Sequence, residues 1–407
     1  MKIVSIDCFE IRIPYRRKLT AGSGLPHGAH SVIVKVQTDY GIVGAGEASM
    51  PGGPVWSGES AMTVLSIIKE YLAPVLIGRD PCRISEIAAT MRRAVRGNPF
   101  AKAAIEMACF DILGNALGVG AAQLIGGQHR DKVPMVWSLD SGVVEQEIEE
   151  VLDVNERLGV RLFKVKVGAA CPAVDLERVA RLVRNVSPAF EFRLDANQRW
   201  NEMTAAWMLP RLRELGITAL EQPLPSWDLA GMARLRHQAQ LAIVANDSAM
   251  NANEVMNVIL SAAADMIALK VAKSGGILGT LQSAQVADAA GLSCYLDCMT
   301  ETGLGTAAYL QTACALKDMR HGAALPGPLM LSEDIIKSPI EYRDGYVELP
   351  TGDGLGVQVD WHVVERLSGS HANCVSSRKL NRRMSDERRA DDVIDDHTDT
   401  LATTAPV

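Results

Sequence analysis

The chain has 407 residues, a formal net charge of −7 and 48% hydrophobic residues, which favours two or three globular domains. The acidic balance leaves no footprint for broad nucleic-acid binding, and no apolar run reaches the ~18 residues that a membrane span needs. Eight cysteines are scattered singly with no Cys-x-x-Cys pair, as expected of reduced thiols in a cytoplasmic protein.

In chain order, the first residues alternate like a strand rather than a secretion signal, and residues 1–130 read as an α+β domain. Strands are expected over 3–13 and 31–38, followed by helices near 60–73, 83–95 and 100–116. From Val133 the texture changes to short apolar strands separated by amphipathic helices. The strands fall at 134–139, 162–167, 191–195, 219–222, 242–245, 266–271 and 292–297, with a weaker eighth at 322–325. Strand starts recur every 25 to 30 residues, the length of one β-loop-α unit. Nearly all-apolar strands alternating with helices indicate a parallel sheet covered on both faces. Seven or eight units in succession predict an α/β, TIM-like closed barrel over 131–335, with an open doubly wound sheet as the alternative. Residues 336–366 return to strand-and-turn texture and are expected to fold back on the first domain. The last stretch, 367–407, is polar and poor in aliphatics, the composition of a disordered tail. Its basic pairs, Arg378-Lys379 and Arg388-Arg389, are interleaved with acids and read as solvated.

The carboxyl ends of parallel barrel strands form the active site in this architecture. The polar residues there are Lys164 and Lys166 on the second strand, Asp195 and Asn197 on the third, and Glu221 on the fourth. Asn246 and Asp247 follow on the fifth, Lys270 on the sixth, and Asp297 on the seventh with Glu301 just beyond. Oxygen donors on three successive ends, Asp195, Glu221 and Asn246 or Asp247, suit a hard divalent cation, Mg²⁺ or Mn²⁺. The lack of His or Cys among them argues against zinc. Unrelated rim ion pairs are the competing reading. Lys164 and Lys166 lie two apart on one strand, so both face the interior. Mutual repulsion and a nearby cation are expected to lower their pKa toward neutrality and make an amine base. Lys270 comes from across the barrel as a second proton-transfer group. A lysine ladder paired with Asp195 and Glu221 would explain the charges without catalysis. No histidine falls at these strand ends, which disfavours a histidine base or a nucleophile partnered by one.

Taken together, Phe163-Lys-Val-Lys166-Val-Gly168, Asp195-Ala-Asn197-Gln, Glu221-Gln-Pro223, Leu269-Lys270-Val-Ala-Lys-Ser-Gly275-Gly276 and Gly327-Pro-Leu-Met-Leu331 resemble the enolase superfamily. The resemblance is to its mandelate racemase/muconate lactonizing enzyme family, in the muconate cycloisomerase subgroup, and covers roughly residues 1–366. It implies a (β/α)₇β barrel capped by an α+β domain built from both chain ends. It also implies Mg²⁺ or Mn²⁺ on three strand-end ligands, and an enolate formed from a carboxylate substrate; the general Lys-or-His-plus-metal pattern is a known one for this superfamily. By position, Lys166 matches the family's acid/base, Lys270 the lysine on the opposite face and Lys164 a supporting lysine.

Three departures bear on substrate. Asn246 stands where the third ligand is usually aspartate, 25 residues after Glu221, so Asn246 or Asp247 completes the set. Ala324 stands near a position where cycloisomerases carry glutamate. Asp297 replaces a usual glycine and either faces a cationic substrate group or pairs with a lysine. Cap loops 20–30 and 51–60 offer His27, His30 and Trp56 as substrate contacts, or as residues packed on the rim. The leading expectation is cycloisomerisation of a muconate-like dicarboxylate by a cytoplasmic homo-oligomer, dimer to octamer. Alternatives are a racemase or epimerase of an amino-acid derivative, a dehydratase of a hydroxy acid or hydroxylated amino acid, and a catalytically degenerate binding protein.

Overall fold

The structure is a computed structural model that describes residues 1–16, 28–368 and the backbone of 373–376. His27 and most of its loop lie outside the described residues. The cap begins with strand β1 (Ile3–Pro14), antiparallel to β2 (Gly28–Thr38), which pairs in turn with β3 (Val43–Ser49). The β-branched run Val32, Ile33, Val34 and Val36 suits a pleated buried sheet and is fully enclosed. Helix α1 (Pro99–Leu117) presses on β3 so closely that a Cβ on Gly46 would lie 1.9 Å from the Ala104 carbonyl oxygen. Only glycine fits there. The helix is buried over most of its surface, and its apolar residues accordingly spread round all sides, with Lys102, Glu106 and Asp111 buried among them.

The barrel strands are β4 (Val136–Leu139), β5 (Leu162–Lys166), β6 (Glu191–Asp195), β7 (Ala219–Glu221), β8 (Ala242–Ala245), β9 (Met266–Leu269) and β10 (Ser293–Leu296). They form one parallel sheet in sequential order. The intervening helices are α2 (Val144–Leu158), α3 (Pro172–Arg184), α4 (Glu202–Glu214), α5 (Leu229–Gln238), α6 (Ala252–Leu260) and α7 (Ile277–Ala289), and α8 (Gly303–Ala315) follows β10. The expected eighth strand is reduced to parallel bridges from Ala323 to Met135 and to Leu296. Amide-to-carbonyl bonds of 2.8 Å from Ala323 to Pro134 and from Ala324 to Leu296 close the ring. Gly322, at φ +79°, and Pro326, without an N–H, limit the ladder to that length. The closed ring settles the choice against an open sheet. Alternate residues fill its interior, where Ala219, Val244, Met266, Ala268 and Tyr295 form a small separate core.

After the barrel, helix α9 (Trp361–Ser368) docks on the cap sheet, with Trp361 and Phe9 ring centroids 5.8 Å apart. Strand β11 (Asn373–Ser376) then pairs antiparallel with β1, from Ser5 opposite Ser376 to Cys8 opposite Asn373. This part of the polar stretch differs from the expectation of a disordered tail. The free edge of β1 supplies backbone partners that side-chain composition does not reveal. Among the described residues, no helix is long and apolar enough to cross a membrane.

Candidate active site

Strand register assembles the site. Lys166 pairs with Asp195 and Asp195 with Glu221 across β5, β6 and β7, so three charged side chains meet at the barrel mouth. Lys166 Nζ lies 2.5 Å from Asp195 Oδ2. One pleat deeper, the buried Lys164 Nζ lies 2.8 Å from Asp297 Oδ1, 3.4 Å from Glu221 Oε2 and 3.9 Å from Asp195 Oδ2. The hydroxyl of Tyr295, rising from the inner core, donates to Glu221 Oε2. From across the ring, Lys270 Nζ reaches Asp297 Oδ2 at 3.1 Å and sits 4.3 Å from the Trp56 ring centroid. Lys273 donates to both the backbone oxygen (2.7 Å) and Oδ1 (2.9 Å) of Asn246, whose Nδ2 donates to Glu221 Oε1 at 2.6 Å. Above these groups a cleft of about 890 Å³ opens toward the cap loop at 51–60, lined by Trp56, Lys164, Lys166, Asp247, Lys270 and Asp297.

The charges have consequences for protonation. Burial alone would lower the pKa of Lys166, but the Asp195 carboxylate outweighs it and holds the ammonium well above its usual range. Lys164 is likewise raised, because Asp297 and Glu221 overcome burial. Without a cation at the site, the carboxylates brought in by register dominate like-charge repulsion, so any lowering toward neutrality would have to come from a bound ion. The neutral-range amine is instead Lys273, lowered to about 7 by burial and by the Lys270 charge. Burial would raise Asp297, yet Lys164 and Lys270 hold its carboxyl well below the usual range. Of the two readings of Asp297, the structure displays the pairing with lysines, one on each carboxylate oxygen.

A supporting layer holds these groups. Gln222, at φ +34°, accepts from the backbone N–H of Asn246 (3.0 Å) and of Ser248 (3.1 Å), fixing the turn after β8. Asn197, at φ +43°, donates its N–H to Asp195 Oδ1 at 2.9 Å. Non-glycine residues in this region are strained, and such strain concentrates at functional sites. On α3, Arg178 donates to the Lys166 carbonyl at 2.6 Å and to Glu147 at 2.5 Å. Its neighbour Asp175 accepts from the Gly168 N–H at 2.7 Å, so the backbone carrying Lys166 is tied from below.

Residues 10–126 match the family model "Mandelate racemase / muconate lactonizing enzyme, N-terminal domain", and residues 146–363 match "Enolase C-terminal domain-like". The chain belongs to the mandelate racemase/muconate lactonizing enzyme family. It is 41% identical over 360 residues to chloromuconate cycloisomerase CbnB of Cupriavidus necator, covering 88% of this chain and 97% of that protein. Identity to muconate cycloisomerase 1 of Rhodococcus opacus is 36%, over 90% of this chain and 98% of the relative. The solved structure of 2-chloromuconate cycloisomerase from Rhodococcus opacus 1CP superposes with a TM-score of 0.88 at 33% identity, covering 91% of this chain and all of that one. Muconate lactonizing enzyme from Pseudomonas putida gives a TM-score of 0.87 at 32% identity, over 91% of this chain and 100% of that one. The protein is therefore an enolase-superfamily enzyme with a family-typical barrel and cap.

Enzymes of this family depend on a divalent metal ion, so the donor set must be tested against one. Asp195 and Glu221 fit: both are buried, adjacent in register, and surrounded by cationic or donor groups that mark a pocket of negative charge. Residue 246 fits less well, since its amide turns NH₂ rather than oxygen toward them. Asp247 keeps one buried oxygen, Oδ2, without a hydrogen-bond partner, while Trp56 bonds its carboxylate. As the side chains stand, lysines lie between the carboxylates, and among the described residues no three His, Cys, Asp or Glu side chains form a ready metal cluster.

Of the remaining residues expected at the site, Asn197, Trp56 and Asp297 line the cleft. Two are placed elsewhere. Glu301 is buried with its carboxylate accepting from the Met299 N–H at 2.9 and 3.0 Å, beside Glu47 under the cap. The chain reversal at Thr300, φ +58°, turns it away from the cleft. His30 sits within β2 and is held 2.8 Å from Glu10 on the cap sheet. Lys273, Gln222, Arg178 and Asp140 were not singled out from sequence. Asp140, directly after β4, lines the cleft and has a buried, unpartnered Oδ1. The strand-end rule applied to the first strand would have found it.

Proposed function

We propose that the protein cycloisomerises a muconate-like dicarboxylate to its lactone through an enolate, with Lys166 as the proton donor. One carboxylate oxygen of the substrate adds to the distal double bond, forming the C–O bond. The displaced π pair moves to the carbon α to the other carboxylate, and Lys166 delivers the proton there. In the reverse direction the neutral Lys166 amine takes that proton back. The observation that carries this reading is the place of Lys166, half-buried in the cleft lining at the end of β5 and 2.5 Å from Asp195 Oδ2. An ammonium at that place can give up a proton, which is what the lactonising direction requires, and a cation on Asp195 would weaken the carboxylate's hold on it and make it a better acid. Asp195 and Glu221 would hold a divalent cation, which when bound supplies charge neutralisation for the substrate carboxylate. Lys270, fixed by Asp297 and by the Trp56 face, adds positive charge on the other side of the cleft. The Arg178 clamp keeps the Lys166 backbone in place while its side chain exchanges a proton.

Racemisation of an amino-acid derivative is the second reading, favoured by one feature, the presence of Lys270 in the same cleft. Both are tested by incubating the enzyme, supplied with Mn²⁺, in D₂O with cis,cis-muconate, chloromuconate and a panel of N-acylamino acids. Lactone carrying deuterium at a single α-face supports the proposal. Exchange into both enantiomers of an amino-acid derivative, without lactone formation, overturns it.

A further inference from the structure

Five lysine and arginine side chains among the described residues line the cleft, and four of them are already paired with carboxylates. Lys164 sits among Asp297, Glu221 and Asp195, Lys166 against Asp195, and Lys270 against Asp297. Arg178 holds Glu147 and Asp175. The fifth, Arg199, is exposed at the rim, and among the described residues nothing bonds or pairs with its guanidinium. Its place is imposed by the backbone. Asn197 and Gln198, at φ +43° and +66°, turn the chain back after β6, and the Arg199 N–H bonds the Ala196 carbonyl at 2.9 Å. That turn rests on the one after β5, where a Cβ on Gly168 would lie 2.9 Å from Arg199 Cβ. Gly168 is two residues past Lys166, so the unpaired guanidinium and the proton donor share one wall of the cleft. On the other flank of Lys166, at the end of β4, Asp140 is acidic and its buried Oδ1 has no partner. Like charges repel, so a substrate carboxylate beside Lys166 is turned from the β4 flank toward the β6 flank.

We propose that Arg199 forms the subsite for the second carboxylate of a dicarboxylate substrate, the one whose oxygen adds to the double bond. This rests on the lactonising reading given above. In that reading the first carboxylate lies toward Asp195 and Glu221, and the second needs a cation that no protein acid already holds. A guanidinium also offers two parallel N–H donors, which fix the plane of a carboxylate as well as its position. Cyclisation bonds one of those oxygens to carbon and turns the anion into the neutral ester group of the lactone. Arg199 therefore holds the substrate more firmly than the product, and the subsite loosens as the reaction completes.

Calorimetric binding of two unreactive acids to the protein, supplied with Mn²⁺, tests the proposal without turnover. Adipate carries two carboxylates and hexanoate one, on chains of equal length. The wild type should bind adipate more tightly than hexanoate. Arg199→Met should weaken adipate about 10–100-fold, the range for a hydrogen bond to a charged group, and leave hexanoate unchanged. Arg199→Lys should keep part of the preference, since it retains the charge and loses the fork. Arg213→Met, at an exposed arginine on α4 outside the cleft, should bind both acids as the wild type does. Equal affinity of the wild type for the two acids, or equal loss of both in Arg199→Met, overturns the assignment even where lactone is formed. An adipate preference that disappears in Arg199→Met, with no lactone from any muconate, supports the carboxylate subsite and overturns the lactonising reading instead.

Discussion

At the barrel mouth Asp195 and Asp297 face ammonium groups, whereas at the seam between cap and barrel Glu47, Glu106 and Glu301 face chiefly backbone N–H groups. Glu47 accepts from the N–H of Thr302 at 3.1 Å and of Gly305 at 3.0 Å, and from the Thr302 hydroxyl at 2.6 Å. Glu106 accepts from the Leu278 N–H at 3.3 Å. Partial charges on amides do not repay the desolvation of a full negative charge, so burial raises Glu106 to about 8 and Glu301 to about 7. Full positive charges repay it at Asp195 and Asp297, whose carboxyls fall below their usual range against burial, whereas Glu221, sharing Lys164 with them, is raised by burial and by the Asp195 charge. Burial alone therefore says little about ionisation. The partner decides.

The two regions respond oppositely to pH. Glu106 is raised from 4.5 to about 8, so its favourable contribution is complete below about 4.5 and is lost as pH rises through 8. Asp195 and Asp297 are lowered from 3.8, so their contribution is present above that value and is lost as pH falls below it.

The largest expected effect lies in the site. Lys166→Met should slow lactone formation by about 10²–10⁴-fold, the usual contribution of a general acid. A loss of less than tenfold in steady-state turnover would mean that the ammonium beside Asp195 is structural, like the seam. Lys164→Met should cost about 3–5 kcal/mol in urea unfolding at pH 7, because Glu221 and Asp297 lose their shared counter-charge. If stability is unchanged, the ammonium is not what keeps Asp297 ionised. Glu106→Gln should act on the seam alone: at pH 9 it should raise stability by about 1–3 kcal/mol relative to wild type, with little change at pH 5. Melting temperatures across that range give the answer, and equal pH slopes in both proteins would remove the contrast. Smallest of all, Glu301→Gln should change turnover by less than about twofold, as expected for a group away from the cleft.

Much of this arrangement is readable from the chain because a barrel repeats. Regular spacing of apolar strands locates each unit, and the residue after each strand locates the site, which is why Lys166, Asp195, Glu221, Lys270 and Asp297 could be named together. The rest depends on distances that spacing does not encode. Lys273 lies beyond its strand, and only the turn after β9 brings it back to Asn246. Arg178 acts from a helix, on a backbone carbonyl that has no sequence signature. How closely Lys166 meets Asp195 is set by strand register, which pairs the two residues across β5 and β6. Glu301 follows Asp297 closely in sequence, yet one residue with positive φ separates their surroundings.

Strand β1 spends its first moments without its last partner. Its outer edge is completed by β11, which is made only after the entire barrel. At ~5–20 residues per second, a ribosome needs on the order of tens of seconds to span that interval. During that time a long apolar strand presents unpaired N–H and C=O groups, the geometry that invites pairing with another chain. The amino-terminal sheet can therefore begin early, but it cannot seal until residues 373–376 have been made. Expression conditions that slow translation or crowd nascent chains should lower soluble yield through this edge, even when every active-site residue is intact.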